Sequence, residues 1–292
     1  MPSPRFPELI AYLKANPIAG NTPAELRASF AASMLVTPAP SEARLEPTAC
    51  EVPSYFIAPP DADPRRVILY LHGGGYIIGS AETHLELVYR FARASGTRAL
   101  SVDYRLVPEH PFPACREDAL AAYRWLLAQD ISPARIAIAG DSAGGGLTVS
   151  TLLGIRDAGL PMPACGVLFS PWLDFTGSGE SMKTNVGRDP MIDPALMSMM
   201  VPMILQGQDP VASSPLFADL RGLPPILVQV GTAEPLLDDS RSFAEKVKNA
   251  GGEVVLDAWD DMIHVFQIFS TYLPEANEAI QRAATFVRAR LG

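Results

Sequence analysis

Residues 136–152 read IAIAGDSAGGGLTVSTL. Ile136 to Ala139 is a short apolar, strand-like run, and Leu147, Val149 and Leu152 begin a helical pattern. Between them lies Gly140-Asp141-Ser142-Ala143-Gly144, a GxSxG pentapeptide in a strand-turn-helix setting. Such a sharp turn holds the serine in a strained backbone conformation. Side chains two positions to either side would collide with the turn, so glycine is needed there. A helix starting at Ala143 aims its positive dipole end and its free N–H groups at Ser142, where an attacking hydroxyl develops negative charge. Taken alone, the pentapeptide reads equally as a tightly packed turn or a phosphate cradle.

A second motif upstream decides between these readings. The run Val67 to Leu71 leads straight into His72-Gly73-Gly74-Gly75. Consecutive glycines after a strand let backbone N–H groups approach a substrate carbonyl oxygen without side-chain interference. Gly74 and Gly75, with the N–H of Ala143, are the expected oxyanion donors. His72 sits at the strand end, and a structural role in tying down the glycine loop is expected for it.

Short apolar runs continue through Ala99 to Val102, Val167 to Ser170, Ile226 to Val230 and Val254 to Leu256. Runs of this kind suit parallel strands buried on both faces. Residues 82–95, 114–128, 143–158, 238–250 and 275–290 read as the intervening helices, so the expected architecture is α/β, a doubly wound, mostly parallel sheet in one domain. Two segments break the rhythm. Residues 1–45 carry two short helical patterns, the second opened by a capping box at Thr22, Pro23 and Glu25. Residues 175–223 form a Gly-, Ser-, Met- and Pro-rich insertion with a short helix expected from Pro194 to Leu205. Together these segments are expected to cap the carboxyl ends of the strands, where ligands bind in open α/β sheets.

Only four histidines are present, and three of them, His72, His84 and His110, precede Ser142. In a triad ordered serine, acid, histidine, His264 alone is available as the base. The acid is sought after the run Ile226 to Val230, in Gly231-Thr232-Ala233-Glu234-Pro235-Leu236. Glu234 there is the expected partner, able to fix the histidine tautomer and stabilise its imidazolium. Asp238 and Asp239 read instead as first-turn residues of the next helix. Asp257, Asp260 and Asp261 follow the later strand, the wrong position for the acid.

The net charge of −9, with no basic run, argues against nucleic acid and anionic membrane surfaces. An uncharged or apolar small molecule fits better. Cys50, Cys115 and Cys165 are widely spaced without a CxxC pair, so neither a disulfide framework nor a zinc site is suggested. The N-terminal stretch lacks a signal-peptide pattern and no run reaches about 18 apolar residues. A soluble, cytoplasmic protein without stable membrane association is expected.

With HGGG at 72–75, GDSAG at 140–144 and DYRLVPEHPFPA at 103–114 in place, the chain resembles the hormone-sensitive-lipase-like bacterial esterases of the α/β-hydrolase fold. The likeness runs through Ser170, Pro171, Trp172 and Asp174, through Leu223-Pro224-Pro225, and to the Asp261-Met262-Ile263-His264 loop. It implies hydrolysis of short-chain carboxylic esters by Ser142, Glu234 and His264, without cofactor or metal, with a small-molecule ester as the partner and homodimer formation left open. Where the commoner family pattern has Asp before Pro and Leu, Glu234 stands here. Amide hydrolysis, long-chain lipolysis and non-catalytic ligand reception are the alternatives. The five methionines of residues 191–203 are expected chiefly as cap packing, with lining of an acyl or alcohol pocket as the second reading.

Overall fold

The apolar runs become strands because each sends alternate side chains into one of two buried layers. In the computed structural model, which describes residues 2–34 and 37–292, Val67, Leu69 and Leu71 join one apolar cluster while Ile68 and Tyr70 join the other. Ile136 and Ile138 are divided from Ala137 and Ala139 in the same way. Positions 1, 35 and 36 of the expected N-terminal cap segment lie outside the described residues.

In chain order the elements are α1 (Phe6–Ala15), α2 (Pro23–Met34), β1 (Glu46–Pro47), β2 (Ser54–Ile57), β3 (Asp63–Leu71), α3 (Leu85–Ser95), β4 (Thr97–Val102), α4 (Pro113–Ala128), β5 (Ile136–Asp141), α5 (Ala143–Asp157), β6 (Cys165–Phe169), α6 (Ser181–Thr184), α7 (Pro194–Leu205), α8 (Pro210–Ser213), β7 (Ile226–Gly231), α9 (Leu237–Asn249), β8 (Val254–Trp259) and α10 (Pro274–Arg288). One eight-stranded sheet runs β1-β2-β4-β3-β5-β6-β7-β8. From β4 to β8 all neighbours are parallel, while β1 and β2 add an antiparallel edge. The helices α4, α5 and α9 contribute to the cluster on one face, and α3 and α10 to the cluster on the other. Every strand bearing a candidate residue ends on the same side of the sheet, as parallel pairing requires.

Both segments that break the rhythm meet the loops at that side. From α2, Arg27 donates Nε to the Ile77 carbonyl (2.8 Å) and pairs with Glu109 (2.7 Å). From the insertion, the Gln206 amide reaches the Pro108 carbonyl (3.5 Å). The helix expected at 194–205 forms with those bounds, capped by Asp193 on the N–H of Ala195. At the start of α2, Thr22 accepts the Glu25 N–H (3.2 Å), while the Glu25 carboxylate reaches back to the N–H of Asn21 (2.7 Å), one residue earlier than in a simple capping box. Among the described residues, no helix is long and apolar enough to cross a membrane. Cys115 and Cys165 are buried, and burial pushes both thiols up to about 12.

Candidate active site

The turn from β5 to α5 has Ser142 at φ 52°, ψ −120°, a left-handed conformation costing about 1–3 kcal/mol for a residue with a side chain. Three main-chain bonds hold it there. The Ser142 N–H donates to the Phe169 carbonyl (2.8 Å), and its own carbonyl accepts from Gly146 (3.1 Å) and Trp172 (2.9 Å). The flanking glycines are needed for closeness: a Cβ on Gly144 would run into the carbonyl oxygens of Leu71 and His72.

The hydroxyl of Ser142 thereby meets His264 Nε2 at 2.8 Å, and His264 Nδ1 meets Glu234 Oε2 at 2.9 Å. The three side chains come from the ends of β5, β7 and β8. Glu234 is wholly buried and its other oxygen, Oε1, accepts from the Ser170 hydroxyl (2.7 Å) and the Gly231 N–H. Burial disfavours the imidazolium of His264, but the hydrogen bond and charge of Glu234 outweigh it, with Asp189 and Asp141 adding. The net result is a pKa above the usual imidazole value.

In the loop after β3, Gly74 (φ 117°) and Gly75 (φ 60°) adopt conformations that favour glycine. Among the described residues, the N–H groups of Gly74, Gly75 and Ala143 have no protein acceptor. The loop is anchored by Asp141, whose Oδ1 accepts the Gly73 N–H (3.0 Å) and the Tyr70 hydroxyl (2.8 Å). His72 lies in the same buried cluster: Nδ1 bonds the Gly73 carbonyl (2.8 Å), its ring stacks on Tyr104 (4.2 Å), and burial lowers its pKa to about 3. It is a neutral brace, as expected. Tyr104 also donates to the His72 carbonyl (2.6 Å), and Arg105 pairs with Asp118 (2.7 Å), so the 103–114 segment supports the loop.

The other carboxylates lie elsewhere. Asp238 accepts the Ser181 N–H (2.8 Å), and Asp239, buried, accepts the N–H groups of Leu173 and Asp174 (2.9 and 3.0 Å). Asp257 binds Gln229 (3.0 Å) and Arg282 (3.0 Å), and Asp261 pairs with Arg188 at 3.6 Å. Of the insertion methionines, Met197 and Met203 pack into the core, Met191 packs against the opposite cluster, and Met199 faces solvent. Met200 also packs against the first cluster, and a Cβ on Gly75 would lie 2.6 Å from its terminal methyl.

Three further residues hold the site, of which the family likeness takes in Ser170 without a role and Asn185 and Asp189 not at all. Ser170 donates to Glu234 and accepts the Val265 N–H (3.0 Å), joining the acid to the base loop. Asn185 and Asp189, both in the insertion, bond the backbone of Glu234 and His264. Ser170 carries a positional signal, the end of a strand beside the nucleophile's. The other two carry none, since polar residues in an irregular insertion look alike until it is folded.

A family model described as alpha/beta hydrolase fold matches residues 68–268. The chain is 44% identical to an acetyl-hydrolase of Streptomyces hygroscopicus over 229 residues, 78% of this chain and 77% of that protein. An esterase of Acinetobacter venetianus is 38% identical over 229 residues, covering 77% and 75%. Among solved structures, an esterase from the bacterial hormone-sensitive lipase (HSL) family superposes with a TM-score of 0.97 at 44% identity over the whole of both chains. EstE5 soaked with p-nitrophenyl butyrate superposes with a TM-score of 0.93 at 41% identity, covering 99% of each. The chain belongs to the α/β-hydrolase fold family and, within it, to the bacterial hormone-sensitive-lipase-like esterases.

Proposed function

We propose that this protein is a carboxylesterase that cleaves short-chain esters through a Ser142–His264–Glu234 triad and an acyl-enzyme, under a cap formed by residues 1–45 and 175–223. The carrying observation is the unbroken relay of 2.8 and 2.9 Å from hydroxyl to imidazole to buried carboxylate. His264 Nε2 takes the Ser142 proton as Oγ bonds the ester carbonyl carbon. The resulting oxyanion accepts from Gly74, Gly75 and Ala143, an arrangement in which one donor contributes about 2.7–4 kcal/mol. Collapse breaks the bond to the alcohol, which leaves with the proton held on Nε2. Water then repeats the sequence and releases the acid.

Met200 bears on the chain-length range, because its methyl stands beside Gly75 of the glycine loop, a place from which it would line either the acyl or the alcohol pocket. With p-nitrophenyl esters, the enzyme is expected to give a burst stoichiometric with Ser142 and a kcat/KM that fades steeply from butyrate to dodecanoate. Met200→Ala is expected to raise kcat/KM for octanoate relative to acetate by about tenfold. A chain-length profile unchanged by that substitution would remove Met200 from the account. Anilide turnover comparable to ester turnover would make the enzyme an amidase.

The pH profile follows from the same geometry. His264 acts as a base only when neutral, and its carboxylate neighbours favour the protonated form. The acidic limb of kcat/KM is therefore expected above the ordinary imidazole value of about 6.5. A limb below that value would mean that the Glu234 interaction does not dominate in solution.

A further inference from the structure

The insertion between β6 and β7 is bonded to both turns that carry the acid and the base. Ser181 donates its hydroxyl to the Pro235 carbonyl (2.6 Å) and accepts the Asp238 N–H (3.0 Å). Asn185 donates Nδ2 to the carbonyls of Thr232 (3.1 Å) and of Glu234 itself (2.8 Å). Asp189 accepts the main-chain N–H of His264 on Oδ2 (2.6 Å) and that of Met191 on Oδ1 (2.8 Å). Between them Arg188 donates to Asn185 Oδ1 (2.8 Å) and lies 3.6 Å from Asp261, on the base loop.

These bonds add to a few turn contacts: the Glu234 carbonyl also accepts the Leu237 N–H (3.3 Å), and the Met262 carbonyl accepts the Ala233 N–H (3.1 Å). His264 follows β8 in an irregular turn whose residues Asp261 and Val265 have φ of 59° and 46°. Its N–H points into the interior, where an unpaired donor costs about 1–3 kcal/mol. Asn185 and Asp189 are 4% and 5% exposed, so water does not substitute for either. The His264 amide and the Glu234 carbonyl thus each receive a side-chain bond from residues four apart on one stretch of the insertion.

We propose that Asn185 and Asp189 are positioning residues for the triad, so that the insertion sets the distance between acid and base as well as covering the site. The inference rests on the assignment of Ser142, Glu234 and His264 above. Charge separates the two contributions. The ionisable groups facing His264 are Glu234 from the acid turn, Asp189 from the insertion and Asp141 from the end of β5. Burial pushes Asp189 up to about 6, with the Glu234 charge adding and His264 and the two N–H groups opposing. Above that value Asp189 is an anion that favours the His264 imidazolium, whereas Asn185 is neutral.

The test uses the full chain carrying Asp189→Asn, Asp189→Ala or Asn185→Ala, assayed with p-nitrophenyl butyrate across pH. NMR titration of the His264 imidazole and thermal unfolding are run on the same samples. Asp189→Asn and Asn185→Ala are each expected to lower kcat about 10-fold and Asp189→Ala about 100-fold, with KM within about twofold. The His264 titration and the acidic limb should move to lower pH in both Asp189 variants and stay in place in Asn185→Ala. Unchanged kcat, or a rise in KM alone, would overturn the inference. So would an unmoved His264 titration in folded Asp189→Asn, which is read without turnover. Absence of Ser142-dependent turnover in the wild type would instead defeat the esterase reading.

Discussion

Ser142→Ala is expected to lower kcat/KM for p-nitrophenyl acetate by about 10⁴- to 10⁶-fold while the protein stays folded. In the proposed mechanism the hydroxyl is the atom that bonds the acyl group, and no other hydroxyl meets His264 Nε2 among the described residues. What remains is attack by water on an ester still held by Gly74, Gly75 and Ala143. The burst should vanish altogether, because no acyl-enzyme can form. A variant that kept a burst would carry its nucleophile elsewhere and end the assignment of Ser142.

The same position makes a second, opposite prediction about stability. At φ 52° and ψ −120° any residue with a Cβ is strained, and alanine keeps that strain. Glycine relieves it at the cost of a more flexible unfolded chain, leaving Ser142→Gly about 1 kcal/mol more stable than Ser142→Ala. Thermal or denaturant unfolding of the two inactive variants measures the difference directly. Equal stabilities would mean that the turn is not strained in solution. Strain at Ser142 accompanies the presentation of Oγ to His264, and it is sustained by the main-chain bonds to Phe169, Gly146 and Trp172.

Much of this site is legible in the sequence because its parts are tied to strand ends. Apolar runs locate β3, β5, β6, β7 and β8, and the first residues beyond three of them are the glycine loop at 72–75, Ser142 and the turn that carries Glu234. His264 is legible for a different reason, scarcity, since it is the only histidine after Ser142. The antiparallel edge is not legible: β1 has two residues and β2 four, too short for any period to emerge. Asp141 looks like filler within GxSxG, although its carboxylate joins the nucleophile strand to the oxyanion loop through Gly73. Asn185 and Asp189 are least legible, because their partners lie 49 and 75 residues away and no local pattern encodes such contacts. Motifs report chemistry attached to regular elements; the irregular insertion reports it only once folded.

The acid provides the sharpest remaining test, through Glu234→Gln against Asp238→Asn. Glu234→Gln is expected to lower kcat about 10³- to 10⁴-fold with little change in the melting temperature. The size follows from donors rather than from charge alone. Oε1 receives the Ser170 hydroxyl and the Gly231 N–H, and the latter cannot turn away because it is main chain. A glutamine must therefore keep its carbonyl oxygen on that side and turn its NH₂ toward His264 Nδ1. An NH₂ there demands that Nδ1 accept, so the ring proton moves to Nε2, the atom that has to take the proton of Ser142. The variant would hold nearly the native shape around a histidine in the wrong tautomer, with no carboxylate to stabilise its imidazolium. Asp238→Asn touches none of this, since Asp238 bonds Ser181 and pairs with Arg241, and its activity should stay within about threefold of wild type. If instead Asp238→Asn fell as far as Glu234→Gln, the acid would have to be reassigned. The tautomer argument would then fail with it, because nothing bonded to Asp238 fixes which imidazole nitrogen carries the proton.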